Sequence, residues 1–281
     1  MSRPGDGSSQ GPAGRREGGK MGVIRYTFYS KVLGEQTNVC AIVPTYEAWR
    51  DKMDYKDYYA QYGKKKLLFV MHGGSDDSTL YLRRTRIEEY AYERDLIVIF
   101  PEVRNSFYGN MVHGKKYFDY ISKELPELVM NALPVSRERR DHFVLGNSMG
   151  SHGSFKWALN RPDFFAAAVG MSGAGDLEEL GFYSPMSVRV RNSFGTIEEY
   201  RGSMNDFKHL YRKMLENGTE FPRLYACCGT EDGFYPGAKK FAEDAKAAGV
   251  PIEWFESPGK HEWVYWDAML PKMLDCMIKG V

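Results

Sequence analysis

The chain has 281 residues, of which 43% are hydrophobic and 27% are charged, and its formal net charge is +1. This is ordinary globular composition, and a chain of this size can bury a large core without disulfides or metals to hold it together. The near-neutral balance, with no long block of one sign in its body, argues against nucleic-acid and membrane-surface partners. A small molecule is the expected partner.

Neither a membrane span nor a secretory signal is indicated by the sequence. No apolar run reaches the length of a span, and residues 1–20, rich in Gly, Ser, Pro and Arg, are expected to form a disordered tail. The four cysteines lack the spacing of a zinc site, and the neighbours Cys227 and Cys228 would point to opposite faces of a strand. We therefore expect free thiols, no metal and a reducing, cytoplasmic location.

Strand-like and helix-like segments alternate from Val23 onward. The first two strands, VIRYTFYS and TNVCAIVP, are predicted to form an antiparallel hairpin. Apolar runs typical of strands buried on both faces follow, with helices between them: KLLFVMH, DLIVIFP, HFVLGN, AAAVGMS and RLYACCG, before a last strand, IEWFES. The predicted helices lie near 81–93, 115–131, 237–248 and 262–278 and at SMGSHGSFKWALN. This pattern predicts a single α/β domain over 21–281, a mostly parallel sheet with helices on both faces.

Residues 176–222 interrupt the alternation, because they contain helical stretches but no clear strand. Ligands of parallel sheets bind at the carboxyl ends of the strands, and an insertion at this point in the chain would lie over those ends. We expect 176–222 to form a small helical cap. Aromatic residues of this insertion and of the long loop 102–114 are candidates for the substrate pocket: Phe182, Tyr183 and Tyr108.

A G-x-S-x-G motif occupies positions 146–150, between an apolar strand and a helix. At such a strand-to-helix turn, the motif is typical of the nucleophile elbow of α/β hydrolases, whose glycines permit close backbone approach. The turn projects the serine from the top of the sheet, near the positive end of the following helix. Ser148 is therefore the predicted nucleophile.

A serine hydroxyl needs a general base, and His261 lies in the loop after the last predicted strand, from where it can reach back to Ser148. The acid that orients the imidazole should follow the preceding strand, where Glu231 and Asp232 are both available. Asp232 is preferred because a shorter carboxylate before a glycine suits a tight loop. Glu231 is the alternative, and Asp176 is a more distant candidate.

Two backbone N–H groups are needed to bind the oxyanion that forms on the substrate. The first is expected from Met149, directly after the nucleophile. The second should come from the loop after KLLFVMH, where Gly74 is the first choice and Ser75 the second.

With these motifs in place, the chain from Val23 onward resembles the esterase D and tributyrin-esterase group of α/β hydrolases. The resemblance is carried by HGGSDDS, GNSMGSHGSFKWALNRPDFFAAAVGMSGAGDL, GTEDGFY and GKHEWVYWDAML, of which the last three follow the family order. Ser151 stands where the family usually has a second glycine, which should alter the elbow helix slightly without abolishing activity.

This resemblance implies a serine esterase of the α/β-hydrolase fold that hydrolyses short-chain acyl or aryl esters. The resemblance also favours a homo-oligomer. Relatives hydrolyse cinnamoyl or feruloyl esters, acetylated sugars or S-formylglutathione. The expected chemistry, acyl transfer through an acyl-enzyme, requires no cofactor. Thioester hydrolysis and acyl transfer to an alcohol are alternatives within the same chemistry, and a binding protein on an inactive hydrolase scaffold is an alternative outside it.

Overall fold

The computed structural model describes residues 21–45, 54–60, 62–173, 175–178, 180–182 and 187–279. Within these ranges the strands are β1 (Met21–Ser30), β2 (Glu35–Pro44), β3 (Lys66–Met71), β4 (Leu96–Pro101), β5 (His142–Asn147), β6 (Ala167–Met171), β7 (Arg223–Gly229) and β8 (Ile252–Ser257). The tail predicted at 1–20 lies outside the described residues.

The helices of the described ranges lie between the strands from β2 onward and after β8. They are α1 (Tyr55–Ala60), α2 (Leu80–Arg84), α3 (Ile87–Glu93), α4 (Tyr117–Asp119), α5 (Leu125–Ala132), α6 (Met149–Asn160), α7 (Val188–Phe194), α8 (Ile197–Tyr200), α9 (Phe207–Glu216), α10 (Tyr235–Ala247) and α11 (Trp263–Lys279), with a π-helical turn at Tyr120–Glu124 and a 3₁₀ turn at Arg139–Asp141. None of the described helices is long and apolar enough to cross a bilayer.

One sheet carries all of these strands, in the order β1-β2-β4-β3-β5-β6-β7-β8. β2 is antiparallel to both of its neighbours, β1 and β4. The six strands β3 to β8 are parallel to one another. The predicted hairpin and mostly parallel sheet are therefore confirmed.

Apolar cores lie on both faces of the sheet, which explains the continuous apolar runs. Along β3, Leu67 and Phe69 belong to one core, and Leu68 and Val70 to the other. Side chains alternate between the faces of a strand, so a strand covered on both sides needs apolar residues at every position. Helix α6 contributes to the first core and α11 to the second.

The helix predicted near 81–93 is two helices, α2 and α3. Thr85 breaks it: its backbone is extended, with φ −136° and ψ 168°, and its hydroxyl accepts the N–H of Ile87 at 3.2 Å. A β-branched residue whose hydroxyl can bond to a nearby N–H favours such a break over a helix interior. The apolar periodicity of the segment did not reveal the interruption.

The topology leaves a crevice where the chain changes direction. The chain passes from β3 to β4, which neighbours β3 on one side, and later to β5, which neighbours β3 on the other side. The loops that follow β3 and β5 therefore diverge at the carboxyl edge, which is where α/β sheets bind ligands. The described part of 176–222 contains α7, α8 and α9 and no strand.

Candidate active site

The turn from β5 to α6 holds Ser148 in a backbone conformation that residues with a side chain rarely adopt, with φ 53° and ψ −120°. The turn is tight: a Cβ added at Gly146 would lie 2.2 Å from the carbonyl oxygen of Gly150. Only glycine fits this approach. The strain at Ser148 is held by the strand before it and the helix after it, as at many functional sites.

Three side chains from three separate loops form one hydrogen-bonded chain. His261 Nε2 lies 2.9 Å from Ser148 Oγ, and His261 Nδ1 lies 2.8 Å from Asp232 Oδ2. A neutral ring protonated on Nδ1 donates to the carboxylate and leaves Nε2 to accept the serine proton, so this network assigns the tautomer. The geometry is that of a nucleophile, a general base and an orienting acid.

The Asp232 side chain is fully buried, whereas 33% of the His261 side chain is exposed. Burial acts to raise the pKa of the Asp232 carboxyl, but the hydrogen bond from His261 and that from the N–H of Phe234, at 2.9 Å, hold it below its ordinary value. The carboxylate is therefore ionised beside the imidazole. Glu231, the alternative acid, is exposed and uses its own N–H to bond the carbonyl of Gly259.

Gly74 and Met149, the two predicted sources of oxyanion N–H groups, both line the cavity at Ser148. A Cβ added at Gly74 would lie 4.0 Å from Met149 Cβ, so the two residues face each other. No side chain caps the N-terminus of α6, and neither N–H donates to another described residue. The N–H of Ser75, the second choice in the sequence, instead donates to Asn105 Oδ1 at 2.7 Å.

His72 positions the loop that contains Gly74. Its Nδ1 donates to the carbonyl of Gly73 at 2.8 Å, and its Nε2 accepts the N–H of Val103 at 3.3 Å. The hydroxyl of Tyr108 donates to the carbonyl of His72 at 2.8 Å. These bonds tie the loop after β3 to the loop after β4, which restricts where the Gly74 N–H can point.

A cavity of about 350 Å³ opens at Ser148 and His261. Much of its wall is apolar. Phe182, predicted for the pocket, lies on this wall between two other phenylalanines, with ring centroids 5.6 Å from Phe107 and 5.5 Å from Phe234. The ring of Phe234 in turn lies 5.1 Å from the imidazole of His261.

Tyr108 does not line this cavity, so its predicted role in the pocket is wrong. Its side chain is fully buried, and a Cβ added at Gly153 of α6 would lie 2.3 Å from its ring. Two successive left-handed residues, with φ 49° at Phe107 and 55° at Tyr108, direct Phe107 to the cavity instead. Tyr183, the third predicted pocket residue, lies outside the described residues.

Sequence reasoning also missed His152, which lines the cavity although only 1% of it is exposed. A usable signal was its spacing, because it follows Ser148 by four residues on the same face of α6. Its ring stacks on Phe207 of α9 with centroids 4.6 Å apart. Burial, and then the nearby Lys156, lower the pKa of His152 well below its ordinary value, so the ring is neutral.

Lys156, a further turn along α6, is completely buried. Its amine donates to the carbonyl of Phe107 at 2.8 Å and lies 4.4 Å from the centroid of the Phe194 ring. Burial lowers the pKa of this amine well below its usual range. Lys156 thus fixes the backbone of the cavity-lining Phe107 through its carbonyl group.

The sequence matches the family described as "Putative esterase" over residues 47–277. The chain belongs to this family. An acetyl esterase from Caldicellulosiruptor saccharolyticus is 25% identical over 268 residues, which cover 92% of this chain and 99% of that protein. The family predicted from the sequence motifs is thereby confirmed.

Two solved structures from Staphylococcus aureus are similar to this esterase-family chain over 92% of its length and 99% of theirs. The fluorophosphonate-binding serine hydrolase FphF is 30% identical with a TM-score of 0.82. The S-formylglutathione hydrolase FrmB is also 30% identical, with a TM-score of 0.79. Family and relatives together identify a serine esterase of the α/β-hydrolase fold, as the sequence predicted.

Proposed function

We propose that this esterase hydrolyses short-chain acyl and aryl esters in two steps, with Ser148 as the nucleophile. One observation carries the proposal: a continuous hydrogen-bonded chain runs from Asp232 through His261 to Ser148 and ends at a cavity. A serine with such a base, and a base with such an acid, can attack an ester carbonyl.

In the first step Ser148 Oγ attacks the carbonyl carbon while His261 Nε2 takes the serine proton. The N–H groups of Met149 and Gly74 bind the oxyanion that develops. Such donors each lower the barrier by about 3–4 kcal/mol. The protonated imidazole then gives its proton to the leaving alcohol as the carbon–oxygen bond breaks, and the acyl group stays on Ser148.

In the second step a water molecule attacks the acyl-enzyme. His261 takes a proton from this water, and the same two N–H groups bind the second oxyanion. The acid leaves when the bond to Ser148 Oγ breaks and the proton returns to that oxygen. Asp232 stays ionised throughout, which keeps the imidazole in the productive tautomer.

The proposed size class of the substrate follows from the cavity. About 350 Å³ bounded by Phe107, Phe182 and Phe234 suits a short acyl chain or an aryl group. The acetyl esterase among the relatives supports oxygen esters. The S-formylglutathione hydrolase among them supports thioester hydrolysis as a second activity of the same residues.

Replacing Ser148 with Ala tests the proposal, with p-nitrophenyl acetate and butyrate as substrates. We expect kcat to fall on the order of 10⁵-fold or more and labelling by a fluorophosphonate probe to disappear. Ser151→Ala is the matched control, because the Ser151 hydroxyl is buried three residues away and makes no hydrogen bond with the described residues. Undiminished turnover in Ser148→Ala would remove this serine from the mechanism, and a wild-type chain that neither turns over esters nor takes the probe would be an inactive scaffold.

We further propose a cytoplasmic location, which the four cysteines support because all of them are free thiols. A homo-oligomer stays a prediction. Light scattering on the purified chain measures the mass in solution and tests it directly.

A further inference from the structure

A guanidinium group borders the catalytic cavity. Arg189, the second residue of α7, lines it together with Ser148 and His261. It makes no hydrogen bond or ion pair with another described residue. No Asp or Glu is among the described residues that line the cavity. Among the described residues, then, nothing neutralises the charge of Arg189, and it can bind a group that enters from solution.

Arg189 lies beside the reacting centre. Its Nη1 atom is 3.7 Å from the position that a Cβ on Gly74 would take, and Gly74 is a proposed oxyanion donor. The absence of a side chain at Gly74 leaves open the space between the guanidinium and this donor. A substrate whose carbonyl oxygen occupies the oxyanion position would therefore have neighbouring atoms within reach of Arg189.

The N-terminal end of α6 also favours a negative ligand at the cavity. The N-terminal end of α6, with its free N–H groups, contributes partial positive charge at Ser148. Asp232, the carboxylate closest to the imidazole, is fully buried behind it and does not line the cavity. A guanidinium binds carboxylates in a planar, two-bond geometry, which makes it specific as well as attractive.

We propose that Arg189 is a specificity-determining residue that binds a carboxylate of the substrate. The preferred esters then carry a negative charge a few atoms from the scissile bond, on the acyl or on the alcohol side. This inference rests on the proposed esterase function, which supplies the reaction at Ser148. It adds a charge requirement that the apolar wall of the cavity does not reveal.

Matched pairs of esters on the full chain test the inference. On the acyl side, p-nitrophenyl hemisuccinate is compared with p-nitrophenyl butyrate. On the alcohol side, 4-acetoxybenzoate is compared with its neutral methyl ester. For each pair, kcat/KM is measured on the wild type and on two variants. Arg189→Gln removes the charge, and Arg189→Lys keeps the charge but loses the planar group that can bond both oxygens of a carboxylate.

Arg191→Gln is the control, because Arg191, exposed like Arg189 on the same helix, does not line the cavity. We expect Arg189→Gln to lower kcat/KM at least about tenfold for the anionic ester of one pair, with Arg189→Lys intermediate. The neutral esters should change less than about threefold, and Arg191→Gln should leave both unchanged within that range. The pair that responds identifies the side that carries the charge.

Three outcomes would overturn the assignment. Equal losses on anionic and neutral esters would mean that Arg189 acts on the oxyanion or on the fold. Equal effects of Arg189→Gln and Arg191→Gln would mean general attraction by surface charge. No charge-dependent loss in either pair would mean that Arg189 binds no carboxylate. Failure of the esterase proposal is distinct, because the wild type would then turn over none of the four esters.

Discussion

Gly150, the second residue of α6, lies against the carbonyl of Met71, the last residue of β3: a Cβ added at Gly150 would stand 2.0 Å from that oxygen. The elbow helix therefore rests directly on the end of the strand whose following loop contains Gly74. This contact joins the proposed nucleophile and the proposed oxyanion donor into one rigid unit.

Replacing Gly150 with Ala should break this contact. The group in the way is backbone, which cannot rotate aside, so α6 must move away from β3. We expect the free energy of unfolding to fall by about 3 kcal/mol and ester turnover to fall with it. Urea denaturation measures the first effect, with Ser151→Ala as the neighbouring control. A Gly150→Ala variant as stable as the wild type would show that the approach is looser than described.

The acid of the proposed triad can be tested by comparing two adjacent carboxylates. Asp232→Asn keeps the shape but favours the wrong imidazole tautomer, so kcat should fall by about 10⁴-fold. Glu231→Gln should change kcat less than about threefold, because this side chain is exposed and makes no bond to His261. Steady-state kinetics on p-nitrophenyl butyrate give both values. The opposite ranking would assign the acid to Glu231.

A proline at position 74 tests the Gly74 N–H as an oxyanion donor, because proline has no backbone N–H and no polar side-chain group. Gly74→Pro lacks the proposed oxyanion donor, and kcat should fall about 10²- to 10³-fold. Gly74→Ala keeps the N–H, and its Cβ would have no described neighbour closer than 3.7 Å, so it should lose less kcat than Gly74→Pro although the methyl group enters the space beside Arg189. Circular dichroism checks that both variants fold. If the folded Pro variant is as active as the Ala variant, the second donor is another group.

Tyr108 and Phe182 should differ in what they affect. Tyr108→Phe removes the hydroxyl that bonds the His72 carbonyl, so it should lower the free energy of unfolding by about 1–2 kcal/mol and leave substrate preference unchanged. Phe182→Ala should lower kcat/KM for butyrate about tenfold relative to acetate, because the wall is lost. Thermal or urea unfolding and the acyl-length series separate the two. A change in acyl preference in Tyr108→Phe would return this residue to the pocket.

The buried carboxyl of Asp176 should make the stability of the folded chain depend on pH, independently of catalysis. Burial raises the pKa of its carboxyl to about 6, against hydrogen bonds from Tyr200 and from the N–H of Glu178. The folded chain thus holds this proton more tightly than the unfolded chain. The stability that Asp176 contributes is present below pH 4 and is lost as the pH rises through 6.

The Asp176→Asn variant cannot lose a proton at this position. Relative to the wild type, it should gain about 2 kcal/mol of unfolding free energy between pH 4 and pH 7. Urea unfolding of both proteins at several pH values in this range provides the difference directly. A difference that stays constant with pH would place the Asp176 titration outside the range.

Local pattern was enough to predict the architecture. Continuous apolar runs specify strands buried on both faces, and a Gly-containing turn between alternating segments specifies the hairpin. The motif around Ser148 and the position of His261 after the last strand are also properties of the chain order. These features are readable because each depends on residues close together in sequence.

Only the tertiary structure decided between neighbouring residues at the site. Asp232 and Glu231 share one loop, and the fold directs only the first toward His261. Gly74 and Ser75 are adjacent, yet the N–H of Ser75 is taken by Asn105, 30 residues away. Which of two adjacent groups faces a cavity depends on backbone dihedral angles and on partners distant in sequence, and neither is encoded in a local pattern.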